Sequence, residues 1–224
     1  MPGKTGRFTI AQLPSGQRQF TSDWGAARRL AIGVMRHRYL SAFHIHLATG
    51  LPQEQLAWLS RLRTSRSLAT ISVDTFEYYA RVYPATSRHV WSGCRSALHQ
   101  RGGASAARPR IAPNTSARVI LKNGPQGARY LDSSVMKDLV APTAEVVDTT
   151  GAGDMLAGAF LALELARVPP LAALDAAVRI ATASVEAFGV DNPKFRAAIA
   201  SIATPTITQA TASMRIRNNI HRLG

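Results

Sequence analysis

The sequence has little of several features that define particular classes of protein. Cys94 is its only cysteine, so no disulfide can form within the chain, and a reducing, cytoplasmic location is expected. Met1 is not followed by the apolar segment that a signal peptide requires, and no apolar run is long enough to span a bilayer. We therefore expect no membrane partner.

Negative charge is also scarce. The 224 residues include 27 Lys and Arg against 13 Asp and Glu, which gives a formal net charge of +14 at pH 7. A field of this sign attracts anions such as ATP or nucleic acid. The arginines are scattered and no nucleic-acid-binding motif accompanies them, so a basic nucleic-acid-binding protein is the less favoured alternative. A hydrophobic fraction of 46% is typical of a globular domain.

Extended runs alternate with helical patterns along most of the chain. Hairpins are predicted over residues 7–20 and 117–131, and strands over 41–47 and 67–74. Helices are predicted from Pro52, over 76–83, from 154, over 171–188 and over 193–202. This alternation is typical of an α/β fold, in which ligands bind at the carboxyl ends of parallel strands. Asp74 ends one predicted strand, and we favour a helix cap over a catalytic role for it.

Residues 148–154, with the sequence DTTGAGD, are the centre of the chain's organisation. Residues 144–147 before them predict a strand, and the residues after them predict an alanine- and leucine-rich helix. Glycines permit a tight turn, and the first amides of a helix lack intrahelical partners, so this turn is a candidate anion site. Asp154 is then a candidate general base for a hydroxyl group, with a helix N-cap as its alternative role.

The complete string, followed by Gly158, Ala159 and Phe160, resembles the C-terminal signature of the ribokinase-like (PfkB) carbohydrate kinases. The resemblance implies a ribokinase-like three-layer sandwich, with a mainly parallel central sheet flanked by helices. It also implies ATP-dependent phosphorylation of a sugar or nucleoside alcohol. ATP and Mg²⁺ are the implied cofactors, and K⁺ is a further candidate ion.

The resemblance assigns roles within the turn. Asp154 would accept the proton of the acceptor hydroxyl. The family's other residues here correspond to anion-hole amides at Gly151, Ala152 and Gly153 and to monovalent-cation ligands at Asp148 and Thr150. The alternative role of Asp148 and Thr150 is to fix the turn by side-chain to backbone hydrogen bonds.

The predicted hairpin over 117–131 is similar to the family's lysine- and glycine-containing loop, which lies along the nucleotide. Lys122 would neutralise phosphate charge, and Gly124 and Gly127 would let the backbone approach the phosphates. An ordinary hairpin is the alternative. Thr182 and Asn192 are the residues that would border the adenine base.

The sequence departs from the family pattern in two places. The family's sugar-binding Gly-Gly-x-x-x-Asn motif is missing, because the only Gly-Gly pair, at Gly102, is not followed by an asparagine at that spacing. The Asn-x-x-Glu motif that organises magnesium is missing too, because Asn114 has Ala117 where the glutamate should stand. Residues 86–117 show no period and predict an irregular insert or a replaced segment.

We therefore expect residues 1–203 to form a kinase domain truncated at its N-terminus, followed by a polar, basic tail over 204–224. The competing interpretation is a catalytically impaired remnant that at most binds nucleotide. Missing sheet strands would leave an apolar edge exposed, which would favour a homodimer.

Overall fold

A computed structural model of the chain describes residues 4–12, 18–23, 25–26, 42–64, 69–100, 117–189 and 193–201. The strands are β1 (Arg7–Gln12), β2 (Arg18–Asp23), β3 (His44–Leu47), β4 (Thr70–Phe76), β5 (Ser96–Gln100), β6 (Arg118–Lys122), β7 (Ala128–Leu131) and β8 (Met136–Leu139). The helices are α1 (Pro52–Thr64), α2 (Glu77–Val82), α3 (Pro84–Ser92), α4 (Ala152–Leu165) and α5 (Pro170–Ser184). A short 3-10 turn, Gly124–Gln126, joins β6 to β7, and residues 193–201 are helical.

Six of these strands form one sheet in the order β3-β4-β5-β6-β7-β8. The first four run parallel, and β7 and β8 return antiparallel as a meander. Helical crossovers join β3 to β4 and β4 to β5, because parallel neighbours cannot be joined by a tight turn. β1 and β2 pair separately as the predicted antiparallel hairpin. The predicted α/β class and mainly parallel sheet are confirmed.

Helices cover both faces of the sheet. On one face, α1 and α3 bury Leu59, Leu62 and Val90 against the strands. On the other face, α4 and α5 pack together over β5 to β8, with Phe160 and Leu174 fully buried. Strand residues therefore alternate between the two helical layers, as the two-residue period of a strand requires. This three-layer order brings the start of α4 to the carboxyl edge of the sheet.

The prediction that residues 86–117 are irregular is wrong for their first part. Pro84 begins helix α3, where a proline at the first turn costs no hydrogen bond. Strand β5 then lies between β4 and β6, inside the sheet. Its sequence, SALHQ, conceals this position because two of its buried side chains are polar: Ser96 donates to Glu164, and the His99 ring lies edge-on to Trp91.

The strand predicted over residues 144–147 is also wrong. The amides of Val147 and Asp148 instead donate to the carbonyl of Val185, at 2.8 and 3.1 Å. Val185 caps the carboxyl end of α5, whose last carbonyls lack intrahelical partners. This segment is therefore bound to a helix end and not to a neighbouring strand.

Some predictions fall on residues outside the described ranges. They concern Asn192, the part of the irregular segment over 101–116, and the tail over 204–224. The division of the chain at residue 203 stays a prediction. Among the helices of the described ranges, none is both long and apolar enough to cross a membrane.

Candidate functional site

The turn that begins α4 has the geometry that its glycines predict. Gly151 is the N-cap and lies in the left-handed region at φ 79°, a conformation that other residues adopt only with strain. The carboxylate of Asp148 accepts a hydrogen bond from the Thr150 amide at 2.9 Å, which fixes the turn as its alternative role required. Helix α4 begins at Ala152, so Asp154 is its third residue and not its cap.

This turn leaves backbone donors free. The Ala152 amide makes only a long bond, of 3.4 Å, to the carbonyl of Thr149. Within the described part of the chain, the amides of Gly151, Gly153 and Asp154 have no acceptor. Free amides at the positive end of a helix dipole attract anions. The turn can therefore bind a phosphoryl group without any change of backbone.

Glu164, near the other end of α4, sets where Asp154 lies along the sheet. Its buried carboxylate accepts hydrogen bonds from Ser96 and Arg118, at the amino ends of β5 and β6. Ten residues of helix separate Asp154 from Glu164, or ~15 Å, while β5 is ~13 Å long. Because α4 runs antiparallel to these strands, Asp154 lies level with their carboxyl ends.

A buried ion pair lies at the same edge of the sheet. The Lys122 Nζ atom, at the end of β6, donates to Oδ2 of Asp74 on β4 at 2.5 Å. Asp74 is 2% exposed, and its Oδ1 atom has no hydrogen-bond partner in the described chain. Burial raises the pKa of Asp74, while Lys122 lowers it through its charge and hydrogen bond. Asp74 is thus not a helix cap: Phe76 is the N-cap of α2, without a side-chain bond.

His46 on β3 completes the group of titratable residues at this edge. Its ring Nδ1 lies 2.7 Å from Oγ of the buried Ser72, and the side chain is partly open to solvent. Burial lowers the pKa of His46; Asp74 and Asp154 oppose this shift, and Lys122 adds to it. The charges of Asp74 on β4, Lys122 on β6 and Asp154 on α4 are therefore close enough to affect the pKa of the His46 imidazole.

The predicted nucleotide-binding residues occupy several different environments. Lys122 is 5% exposed and engaged with Asp74, so its ammonium is turned inwards. Gly127 is required by packing, since a Cβ atom there would overlap the carbonyl of Leu139. Gly124 is open, with space for a ligand around it. The Thr182 hydroxyl donates to the carbonyl of Val178 within α5, at 2.9 Å.

Sequence reasoning found the turn and missed two of its neighbours. His46 and Ser72 stand on short strands without a motif, and only the parallel register His46↔Ser72 brings them together. The sequence signal that could have found His46 is the alternation along β3, which places His44 and His46 on one face of the strand. Neither residue's position relative to Asp154 follows from the sequence, because 108 residues separate His46 from Asp154.

The part of the chain that contains this turn is similar to known kinases. The model of the pfkB family carbohydrate kinases matches residues 96–196, which include the turn and Lys122. Cytidine kinase of Thermococcus kodakarensis is 28% identical over 172 residues, which cover 72% of this chain and 62% of that protein. The chain therefore spans less than two thirds of that relative. The resemblance predicted from the sequence is confirmed.

Solved structures share the fold at lower identity. The nucleoside kinase of Burkholderia thailandensis, in complex with inosine, is 14% identical with a TM-score of 0.71, covering 91% of this chain and 68% of that chain. Ribokinase of Cryptococcus neoformans, in complex with ADP, is 19% identical with a TM-score of 0.68, covering 89% and 72%. The ribokinase-like fold predicted from the sequence is confirmed.

Proposed function

Taking residues 96–196 as a pfkB family carbohydrate kinase region, we propose that this protein transfers the γ-phosphoryl group of ATP to a hydroxyl of a sugar or nucleoside. The observation that carries the proposal is the turn at residues 148–154, which places a carboxylate beside free amides at the carboxyl edge of the sheet. The related proteins named as nucleoside kinase and ribokinase support both acceptor classes and the use of ATP.

Asp154 and the turn have separate tasks in this reaction. The carboxylate of Asp154 accepts the proton of the attacking hydroxyl, so that the oxygen bonds to phosphorus as the bond to ADP breaks. The amides of Gly151 and Gly153, with the loosely bonded amide of Ala152, stabilise the charge on the phosphoryl oxygens. Because these donors are already fixed by the helix, little reorganisation is needed during transfer.

Lys122 contributes through Asp74. Its ammonium is buried and holds the Asp74 carboxylate, so it does not reach for phosphate on its own. The pair adds less net charge to the site than either residue alone would. The amides of the turn are then the main donors available to the nucleotide.

Magnesium accompanies ATP in reactions of this kind. Within the described ranges, no group of three or more His, Cys, Asp or Glu is placed to hold a metal ion. Mg²⁺ usually binds through one or two carboxylates together with substrate phosphates and water. Bound in that way, the ion would be held mainly by the phosphates of the nucleotide and by water.

A nucleotide-binding remnant is the second candidate function. It is favoured by the inward-facing Lys122 and by the missing Asn-x-x-Glu motif. The two candidates make the same prediction for nucleotide binding and opposite predictions for transfer.

The test is acceptor-dependent ADP release by the full chain, with ribose, fructose, cytidine, adenosine, inosine and 2-keto-3-deoxygluconate as acceptors. The proposal expects ADP release above the acceptor-free rate, together with a phosphate ester detected by mass spectrometry. Titration of ATP by calorimetry provides the second measurement. Binding of ATP without transfer to any acceptor would instead support the remnant.

A further inference from the structure

A continuous set of hydrogen bonds runs from a backbone carbonyl to His46. The Thr70 hydroxyl donates to the carbonyl of Phe43, at 3.3 Å. His44 Nδ1 lies 2.7 Å from Thr70 Oγ1, and His44 Nε2 lies 2.8 Å from Ser72 Oγ. His46 Nδ1 lies 2.7 Å from the same Ser72 oxygen. Each imidazole nitrogen in this set therefore faces a hydroxyl whose own direction can be worked out.

We assign the Thr70 hydroxyl proton to the Phe43 carbonyl, which can only accept, and the directions of the other bonds follow from that assignment. Since the Thr70 proton is given to Phe43, Thr70 Oγ1 must accept from His44 Nδ1–H. The neutral His44 then has a lone pair at Nε2, so the Ser72 hydroxyl donates to it. Ser72 has one proton, and its oxygen must accept from His46 Nδ1–H. His46 is thereby the Nδ1–H tautomer, with a lone pair at Nε2.

Neutral histidines are needed for this assignment. Burial lowers the pKa of His44, and the charges of His46 and Arg95 lower it further, against the opposing charge of Glu164. Burial likewise lowers the pKa of His46, with Asp74 and Asp154 opposing and Lys122 assisting. Burial therefore favours the neutral form of both rings.

His46 Nε2 has no partner within the described chain, and the His46 side chain is open to solvent. Its strand neighbour, Ser72, lies two residues before Asp74 on the strand face that meets α4. Resting on the function proposed above, we propose that His46 Nε2 accepts a hydrogen bond from a second hydroxyl of the acceptor substrate, beside the hydroxyl that Asp154 deprotonates. His46 is thus a specificity-determining residue.

The chemistry of this edge defines the substrate class. Asp154 and the His46 lone pair both accept hydrogen bonds, so the acceptor must supply two hydroxyl donors. Among the residues that the structure describes at this edge, the carboxylates of Asp74 and Asp154 outnumber the single ammonium of Lys122, which disfavours an anionic acceptor. The acceptor is therefore a neutral polyol, such as a free sugar or a nucleoside, and not a sugar acid or a sugar already phosphorylated.

The first test measures the tautomer in the full-length chain without any ligand. Nitrogen chemical shifts from long-range proton–nitrogen NMR distinguish a protonated from an unprotonated ring nitrogen, and the His46→Gln variant assigns the signals. The expected result at pH 7 is a protonated Nδ1 and an unprotonated Nε2. A protonated Nε2 would remove the lone pair and overturn the proposal.

The second test pairs His46 variants with deoxy analogues of whichever acceptor is phosphorylated fastest. The wild type should lose about tenfold or more in kcat/KM on one monodeoxy analogue, because a hydrogen bond is lost. His46→Asn, which keeps a group near Nδ1 and loses one near Nε2, should lose a similar factor on the parent acceptor and little more on that analogue. His46→Gln, whose amide reaches towards the Nε2 position, should recover part of the rate.

His89→Asn provides the matched control, since His89 is an exposed histidine on α3, on the opposite face of the sheet. Its kcat/KM should equal that of the wild type for every acceptor. Equal losses for His46→Asn on all analogues would mean that His46 contacts no hydroxyl, which overturns this proposal while the kinase function stands. If no acceptor is phosphorylated at all, the proposed function fails and the role of His46 falls with it.

Discussion

Lys122 and Asp74 are joined by a buried hydrogen-bonded ion pair, with 2.5 Å between Nζ and Oδ2. The two residues come from β6 and β4, which are separated in the sheet by β5. Their pairing crosses that strand at the carboxyl edge, close to the start of α4. Lys122 was predicted from the sequence to bind nucleotide, and Asp74 was predicted to cap a helix. In the structure the two residues are each other's buried partner.

We expect Lys122→Met to destabilise the fold by about 3–5 kcal/mol, since the variant leaves a buried carboxylate without its counterion. The double variant Asp74→Asn with Lys122→Met should recover much of this loss, because no buried charge remains. Urea unfolding of the single and double variants measures both values. If Lys122→Met unfolds at the same urea concentration as the wild type, the ion pair does not contribute this much to the free energy of unfolding.

The defect of Lys122→Met should depend on pH. Burial raises the pKa of Asp74 and Lys122 lowers it, so removing Lys122 raises the folded-state pKa further above the unfolded value of 3.8. The folded state then binds a proton that the unfolded state releases, and stability falls as pH rises. Unfolding free energies of this variant should approach those of the wild type below the unfolded pKa and diverge towards neutral pH. A defect that is constant from pH 4 to pH 7 would contradict this origin.

Two glycines in and after the turn provide a matched comparison. A Cβ atom added at Gly151 or at Gly158 would meet nothing within 4 Å, so neither change introduces a clash. Gly151→Ala should cost about 1–2 kcal/mol because its φ of 79° is left-handed. Gly158→Ala, inside α4, should stabilise by about 0.5–1 kcal/mol. Thermal unfolding measures the melting temperature of each variant, and shifts of the same sign for both would refute the turn geometry.

Glu164 should be needed to anchor α4. Glu164→Gln removes the charge that faces Arg118 and Arg95, and because it weakens charge-assisted hydrogen bonds to a buried side chain, the expected loss is about 1.5–3 kcal/mol. Asp175→Asn is the control, because Asp175 forms an exposed pair with Arg179 and should cost less than about 1 kcal/mol. Equal effects of the two variants in urea unfolding would show that Glu164 is not an anchor.

Features that depend only on residues close together in the chain could be predicted from the sequence. The turn at residues 148–154 was predictable because its glycines, its carboxylates and the alanine-rich helix are contiguous. Strand β5 was missed because its burial depends on Glu164 and Trp91, which lie elsewhere in the chain. The tautomer of His46 depends on a hydroxyl network between two strands, and only the register of those strands brings it together.

Asp154 is proposed as the general base of phosphoryl transfer at this turn, and the kcat of Asp154→Asn tests that role. The change keeps the shape of the side chain and removes its proton acceptor, so kcat should fall by about 10²–10⁴. Calorimetry should find ATP affinity within a few-fold of the wild type, since the amides of Gly151 and Gly153 are unchanged. A variant that turns over the same acceptor at nearly the wild-type kcat would show that Asp154 is not the general base.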